Sequence, residues 1–582
     1  MLNINNLSYS FPQKDLYNQI TFTLEDNQHC AFIGTSGSGK TTLIDMILKP
    51  DNYMYDGKLE LEENCRVGYV SQFSQLDKTS NATVFEYIAE EFLNLEQQIQ
   101  SICTEMETAT ELDELLTSYQ VTMDSFDAIG GDDYESNINR QLNLAALMSH
   151  KDLKVSELSG GEFKLVQVIK EMLVSPDLVI MDEPDVFLDF EHINSLKQLI
   201  NSHKGILLII THSRYLLNHC FNKIIHLENM ELQEFEGNYI DYNFTLLQKK
   251  IELQELSVAD DLEIERNDAL IDKLRDIASN NDESSRGRSL NARVKIQERL
   301  EARRIKAPFV DIKQPEIELS TQNEIEETIA LTVTDYNVSF EESLLEHVSF
   351  EIGSKDKVAL IGQNGTGKTT LFRDIYNKSS DAISIGEGVH LAYLSQLQGE
   401  ILNEKNTILD EFFDAGFQTN TEIKEYASKY GFNEEMINQS ISSLSGGEKN
   451  ILQLAIISSS HANMLLLDEP TSHLDTYSQI ALEKAIANYN GAILMISHDF
   501  YSIVNSMDYV LIIENKTVRK MSMRKFRKMI YKNHFNRDYL LVEQKKKELE
   551  TRIARSLQEK KFELARTLTE ELEKIIENLY TS

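Results

Sequence analysis

Two hydrophobic patterns alternate along the chain. Short unbroken apolar runs, such as Cys30-Ala31-Phe32-Ile33, Leu178-Val179-Ile180-Met181 and Ile206–Ile210, predict strands buried on both faces of a parallel sheet. Longer stretches with helical apolar spacing follow them: Leu43 to Leu48, Val84 to Leu147, and the segment up to Val174. Far downstream the same alternation returns around Val358-Ala359-Leu360-Ile361 and Leu465-Leu466-Leu467. Strands at Leu2–Tyr9 and Gln19–Leu24 precede the first set. Met1 leads directly into Leu2 to Leu7, which reads as a strand and not as a signal peptide. The predicted class is α/β, in two copies.

The loops between these elements carry the chemistry. Gly34-Thr35-Ser36-Gly37-Ser38-Gly39-Lys40-Thr41-Thr42 sits between a strand and a helix, and so does Gly362-Gln363-Asn364-Gly365-Thr366-Gly367-Lys368-Thr369-Thr370. Both fit the P-loop pattern, in which glycines turn backbone N–H groups around phosphate oxygens and a helix N-terminus adds positive potential. Lys40 and Lys368 are expected at the β- and γ-phosphates, and the hydroxyls of Thr41 and Thr369 on Mg²⁺. Val67 to Gln72 reads as a strand whose terminal Gln72 can bridge Mg²⁺ and an attacking water. Asp182 and Glu183 end a buried strand; Asp182 would hold Mg²⁺ through water and Glu183 would deprotonate the attacking water. His212, at the end of the next strand, is placed to meet the γ-phosphate. Phe11 could stack on adenine or be an ordinary edge aromatic.

Leu158-Ser159-Gly160-Gly161-Glu162 lies between the first P-loop and Asp182-Glu183, an order that resembles the ATP-binding cassettes, whose signature is LSGGE. The second half repeats the set with Phe340, Gln396, Leu444-Ser445-Gly446-Gly447-Glu448, Asp468-Glu469-Pro470 and His498. From Gln72 to Ser159 is 87 positions, and from Gln396 to Ser445 is 49, so extra helical material is expected in the first lateral lobe.

Composition narrows the setting. The 582 residues suffice for three or four domains, and no run of eighteen apolar residues is present. The four cysteines lack metal spacing and read as reduced thiols. Together these predict a cytoplasmic protein. A net charge of −37 argues against a general nucleic-acid binder. Two local basic stretches stand against that background. Residues 244–277 predict a helix, residues 280–285 a break, and the stretch from Arg286 to Lys306 a basic return helix ending at Pro308. The tail begins with Arg519, Lys520, Arg524, Lys525, Arg527 and Lys528 among Phe526, Tyr531 and Phe535. It continues as two helices with an apolar stripe of Leu564, Leu568, Leu572, Ile575 and Leu579, read as a plain coiled-coil hairpin for RNA or protein contact.

Paired cassettes, Gly237 to Tyr242 before a helical linker, a basic linker return and Asp468-Glu469-Pro470-Thr471-Ser472-His473-Leu474-Asp475 resemble the ABC-F proteins. The resemblance implies an architecture of cassette 1 (1–238), helical linker (239–325), cassette 2 (326–515) and a basic helical extension (516–582). It implies an ATPase with ATP and Mg²⁺ as ligands, working as a monomer. The ribosome is the implied partner, its rRNA and tRNA met by the linker. Some members modulate translation and others protect it from peptidyl-transferase-centre antibiotics; the absence of a separate long arm in cassette 1 leans toward the resistance-type or uncharacterised branches. By resemblance each ATP is shared, one site closing on Ser445, Gly446 and Gly447 and the other on Ser159, Gly160 and Gly161. Where the family has Thr-Asn-His-Leu-Asp, the first cassette reads Asp185-Val186-Phe187-Leu188-Asp189, and Ser213 stands in place of aspartate after His212. Unequal sites are therefore expected. The ATPase subunit of a transporter and a DNA-repair ATPase are the rival classes.

Overall fold

The computed structural model describes residues 2–11, 14–62, 65–72, 81–107, 112–174, 177–186, 188–249, 251–252, 315–321, 328–339, 343–396, 399, 401–534 and 539–581. Phe187, Phe340 and the predicted basic return helix lie outside the described residues. The chain divides into two compact units, one of Met1–Asn238 with Lys313–Ile530 and the other of Tyr239–Ile312 with Tyr531–Ser582.

The first unit holds both cassettes, each built on a six-stranded sheet. In the first cassette the spatial order is Val67–Val70, Leu178–Asp182, Ile206–Ile210, His29–Ile33, Lys223–Glu228 and Glu231–Glu236. Five strands run parallel and the last is antiparallel. The second cassette repeats the order with Leu391–Leu394, Met464–Asp468, Ala492–Ile496, Lys357–Ile361, Tyr509–Glu514 and Thr517–Ser522. The central strands are buried along their whole length, the reason they read as continuous apolar runs. A three-stranded antiparallel sheet covers each P-loop helix, formed in the first cassette by Lys14–Leu24, Leu2–Phe11 and Asp56–Leu61. Leu2, Ile4, Phe22, Leu43, Ile44 and Leu208 close one core across these layers. Because the P-loop strand has parallel neighbours, all the loops that carry polar chemistry emerge at one edge of the sheet.

The lateral lobes differ. The second cassette has short helices, Ile408–Asp414, Asn420–Lys429 and Glu434–Ile437. The first adds a pair of long ones, Glu90–Met106 and Asp113–Ala128, of 17 and 16 residues. Each buries a single residue, Phe92 or Phe126, while Leu112, Leu116 and Val121 are exposed. The extra helical material expected in the first lateral lobe is this pair, anchored by two aromatic residues. Phe92 stacks on Tyr134 at 4.8 Å between ring centroids.

The basic stretch after residue 516 is not what its composition implied. Thr517–Ser522 is the antiparallel edge strand of the second sheet. Lys520 lies over the Tyr509 ring, and Arg519 pairs with Glu514 at 3.0 Å. Phe526 is fully buried beside Phe190 and Phe500, a core position.

In the second unit the helices Tyr539–Gln558 and Phe562–Thr581 form a hairpin. Leu549, Ile553, Ala565, Leu568 and Leu572 bury a seam with Ile240 and Ile251 from the start of the linker. Leu564 is exposed, one step off the stripe it was assigned to, and Ala565 takes its place in the seam. The side chain of Leu579 lies outside the described residues.

Candidate active sites

The P-loops fold as their glycines dictate. Gly39 and Gly367 stand before the helices Lys40–Leu48 and Lys368–Asn377 with φ of 102° and 88°. Neither helix has a side-chain cap, so its first N–H groups are free to meet an anion. A Cβ on Gly34 would stand 2.2 Å from the carbonyl oxygen of Leu227, and one on Gly39 2.9 Å from the Tyr17 hydroxyl. Gly37 and Gly365 also have positive φ, and Gly362 packs against Ile513. Tyr17 donates to the Gly39 carbonyl at 2.5 Å. Lys40 Nζ donates to the carbonyls of Gly34 and Thr35 at 2.9 Å each, and Lys368 Nζ to those of Gly362 and Gln363 at 2.7 Å each. Burial pulls both ammonium groups below their usual pKa against the pull of the neighbouring carboxylates. Thr41, Thr42, Thr369 and Thr370 lie in the first helical turns. This is a fitting cradle for a polyphosphate.

The signature loops are helix starts with a reciprocal cap. The Ser159 hydroxyl accepts from Glu162 N at 3.3 Å and Glu162 Oε2 accepts from Ser159 N at 2.7 Å. Ser445 and Glu448 repeat this at 3.3 and 2.8 Å. The Ser-x-x-Glu spacing inside the motif is thus a capping box, which aims Gly160-Gly161 and Gly446-Gly447 outward at the helix N-terminus.

The first site gathers residues from both cassettes. Asp182 shares a hydrogen bond with Thr41, a pairing of carboxylate and hydroxyl that suits Mg²⁺. Burial and the adjacent Glu183 raise the Asp182 carboxyl to about 6. Gln72 Nε2 donates to Glu183 Oε2 at 2.6 Å. His473 of the second cassette reaches the same oxygen with Nδ1 at 3.2 Å. Burial alone would raise the Glu183 carboxyl; the His473 hydrogen bond and the charges of His212, His473 and Lys40 outweigh it and hold it at about 2. His212 is pushed down to about 4, mainly by burial and then by Lys40. Asp475 Oδ2 accepts Ser36 N at 3.3 Å, and a Cβ on Gly447 would be 2.8 Å from Ser36 Oγ. The second signature loop therefore lies directly on the first P-loop.

The second site is built differently. Glu469 accepts the His498 amide at 3.4 Å, and His498 Nε2 stands 3.5 Å from Oε1. Burial, reinforced by Asp468, pushes this carboxyl well above the ordinary range, while burial pushes His498 down to about 3. Among the described residues Gln396 makes no hydrogen bond to Glu469, in contrast to Gln72. From the first cassette, Glu191 accepts Gln363 Nε2 at 3.3 Å, and the charge of Asp189 acts on Lys368. A Cβ on Gly160 would meet nothing within 4 Å, whereas those on Gly446 and Gly447 would crowd His473. Phe11 is exposed at 44% and meets Tyr9 edge-on at 5.3 Å, leaving a ring face open.

Several residues at these sites were not singled out for a role from the sequence. His473, Asp475, Asp189 and Glu191 act on the opposite cassette, and Lys164 donates to the Ser71 and Gln72 carbonyls beneath the glutamine. Asp185, read as an added charge, is buried and accepts the Thr211 hydroxyl at 2.6 Å; burial raises it to about 6.

Comparison with known proteins agrees with this geometry. The ABC transporter family profile matches residues 17–186 and 345–472. The chain belongs to the ABC transporter family. It is 30% identical to the uncharacterized ABC transporter ATP-binding protein YfmM of Bacillus subtilis, over 86% of this chain and 96% of that one. It is 27% identical to the energy-dependent translational throttle protein EttA of Mycobacterium tuberculosis, over 86% and 88%. ABC transporter F family member 5 of Arabidopsis thaliana is 26% identical over 88% and 75%. Among solved structures, the archaeal ABCE1 bound to the ribosome with Pelota superposes with a TM-score of 0.55 at 15% identity, covering 91% of this chain and 80% of that one. That likeness establishes the tandem-cassette fold. This ABC protein is an ATPase of the F type its motifs resemble, and no helix among its described residues is long and apolar enough to cross a membrane.

Proposed function

We propose that this ABC protein is a Mg²⁺-dependent cytoplasmic ATPase that acts as a single chain on the ribosome and modulates translation. The observation that carries the reading is the closure of one cassette on the other within one chain. Asp475 and Gly447 meet Ser36, and His473 meets Glu183, so both halves complete one ATP site. A chain that carries both halves of its sites needs no second ATPase subunit. The relative whose name ties it to translation supports the ribosome as target.

In this reading Lys40 and Lys368 bind the β- and γ-phosphates. Thr41 with Asp182 and Thr369 with Asp468 would hold Mg²⁺, which would neutralise phosphate charge. Glu183 and Glu469 orient and deprotonate the attacking water, Gln72 and Gln396 position it, and His212 and His498 meet the γ-phosphate. Protection of the ribosome from peptidyl-transferase-centre antibiotics is the finer form of the proposal.

The test is sucrose-gradient sedimentation of the Glu183→Gln, Glu469→Gln double variant in lysate with ATP. Migration with 70S ribosomes is expected, and drug susceptibility of cells expressing the native chain then tests the finer form. ATP-loaded protein remaining at the top of the gradient would overturn the ribosome reading. Co-purification with a polytopic membrane protein or with DNA would favour the transporter or repair reading.

A further inference from the structure

His473 sits at a junction of three loops. Its backbone is left-handed, with φ of 61°. The ring packs against Gly446 of its own signature loop, where a Cβ would be 3.1 Å from Cγ. Its carbonyl faces Gly447, where a Cβ would be 2.5 Å away. Asn450, on the signature helix, donates to the carbonyls of Pro470 and Ser472 at 3.2 and 2.8 Å and so fixes the loop just before the histidine. From this seat Nδ1 reaches across to the other cassette.

We propose that His473 is a positioning residue in trans, which orients the Glu183 carboxylate of the first site only when the second signature loop has closed on the first P-loop. The inference rests on the reading of Glu183 as the carboxylate that takes the proton from the attacking water. Gln72 Nε2 and His473 Nδ1 both point at Oε2, at 2.6 and 3.2 Å. Nδ1 also lies 3.2 Å from Gln72 Nε2; in the tautomer with the proton on Nδ1 both groups donate to Oε2 and fix the carboxylate plane, leaving Oε1 for the proton from water. One donor is local and always present. The other belongs to the opposite cassette, so orientation of the base is conditional on closure. In the internal repeat the position equivalent to His473 is Phe187, whose side chain has no hydrogen-bonding atom. Glu469 instead leans on His498 of its own cassette. Closure and base orientation are thus tied at the first site, while among the described residues Glu469 is met by a histidine of its own cassette.

The experiment is steady-state ATP hydrolysis by the full chain carrying Glu469→Gln, so that turnover reports the first site, with His473→Ala, His473→Asn or Glu183→Gln added to it. Asparagine carries an N–H donor as many bonds from the backbone as Nδ1, so it keeps the hydrogen bond while losing the ring. For His473→Ala the expected result is a fall in kcat of about tenfold or more, with the KM for ATP within about twofold, as for a lost transition-state interaction. His473→Asn should recover to within about threefold of the kcat of the Glu469→Gln parent. Adding His473→Ala to Glu183→Gln should produce no further fall, because the histidine acts through that carboxylate. An unchanged kcat in His473→Ala, a rise in KM with kcat intact, or an asparagine variant as slow as the alanine one would overturn the proposal. If the Glu183→Gln, Glu469→Gln chain hydrolyses ATP as fast as the Glu469→Gln parent, the assignment of the base fails, a result distinct from failure of His473→Ala alone.

Discussion

Arg214 of the first cassette lies 2.8 Å from Asp499 of the second, the one two residues after His212 and the other directly after His498. The same guanidinium pairs with Glu483 and stands over the Tyr501 ring at 4.9 Å. Asp499 also caps the helix Phe500–Ser506 through the Tyr501 amide. His212 and His498 are therefore joined by a short path through one buried ion pair. The internal repeat shows why there is one such bridge: Ser213 stands where Asp499 does, and Phe500 where Arg214 does. Removing Arg214 would leave two carboxylates buried without a cation. Arg214→Ala is expected to destabilise the chain by about 3–5 kcal/mol, with Arg214→Lys in between. Denaturant unfolding of the three proteins measures this.

The first P-loop has no room for a side chain at Gly34. Gly34→Ala would set its Cβ 2.2 Å from the Leu227 carbonyl, on a neighbouring strand that cannot move alone. Loss of nucleotide binding at the first site is expected, by more than about 1.4 kcal/mol, the equivalent of tenfold. Titration with a fluorescent ATP analogue in a Lys368→Ala background reads that site by itself. Gly365→Ala is the contrasting case: a Cβ there meets nothing within 4 Å, so its effect is limited to the strain of a φ of 79°.

Acid should loosen the first cassette through His203. Burial, helped by the charge of His29, lowers its imidazole to about 4. The sign follows directly: an unfolded histidine takes up a proton as pH falls through about 6.5, whereas the folded one resists until about 4. Stability from this group is thus complete above about pH 6.5 and lost as pH falls toward 4, up to about 3 kcal/mol before any allowance for its partial exposure. His203→Gln should flatten the fall of the thermal midpoint between pH 6.5 and 4 while leaving the pH 8 value within a few degrees.

The C-terminal hairpin owes its order to a narrow seam. Ile553 is fully buried there with Ala565, Leu568 and Ile240. Ile553→Ala is expected to cost about 2–5 kcal/mol locally. Limited proteolysis of the full chain should then cut within 539–581 sooner, while ATP hydrolysis by the cassettes persists. Leu564→Ala, at an exposed position, should change neither.

How far the sequence could be read depended on how local each signal was. The P-loops, the capped signature starts and the strand-end carboxylates are each written within about ten residues, and their chemistry was legible from type and spacing alone. The partners that complete the sites were not. His473 and Glu183 are separated by 290 positions, and Ser36 and Asp475 by 439. No periodicity carries information over that range; the internal comparison of Phe187 with His473 is the one signal that pointed there. Basic composition misled at 516–530, because an edge strand and a helix on a sheet wear their charges outside while Val518, Met521 and Phe526 face in. In the lateral lobe, helical spacing revealed the extra helices but not that they stand on two aromatic anchors.

The 290 positions that separate Glu183 from His473 also have a meaning in time. Chains are made from the N-terminus at about 5–20 residues per second, so the first cassette waits about 15–60 s for the histidine that meets its glutamate. The sheet of that cassette can close as soon as Glu236 has emerged, since all its strands lie upstream. A growing chain can thus hold a folded P-loop well before it has a complete first site. Order of synthesis places folding first and turnover last, and a nascent or truncated chain ending before His473 would lack that histidine's hold on Glu183.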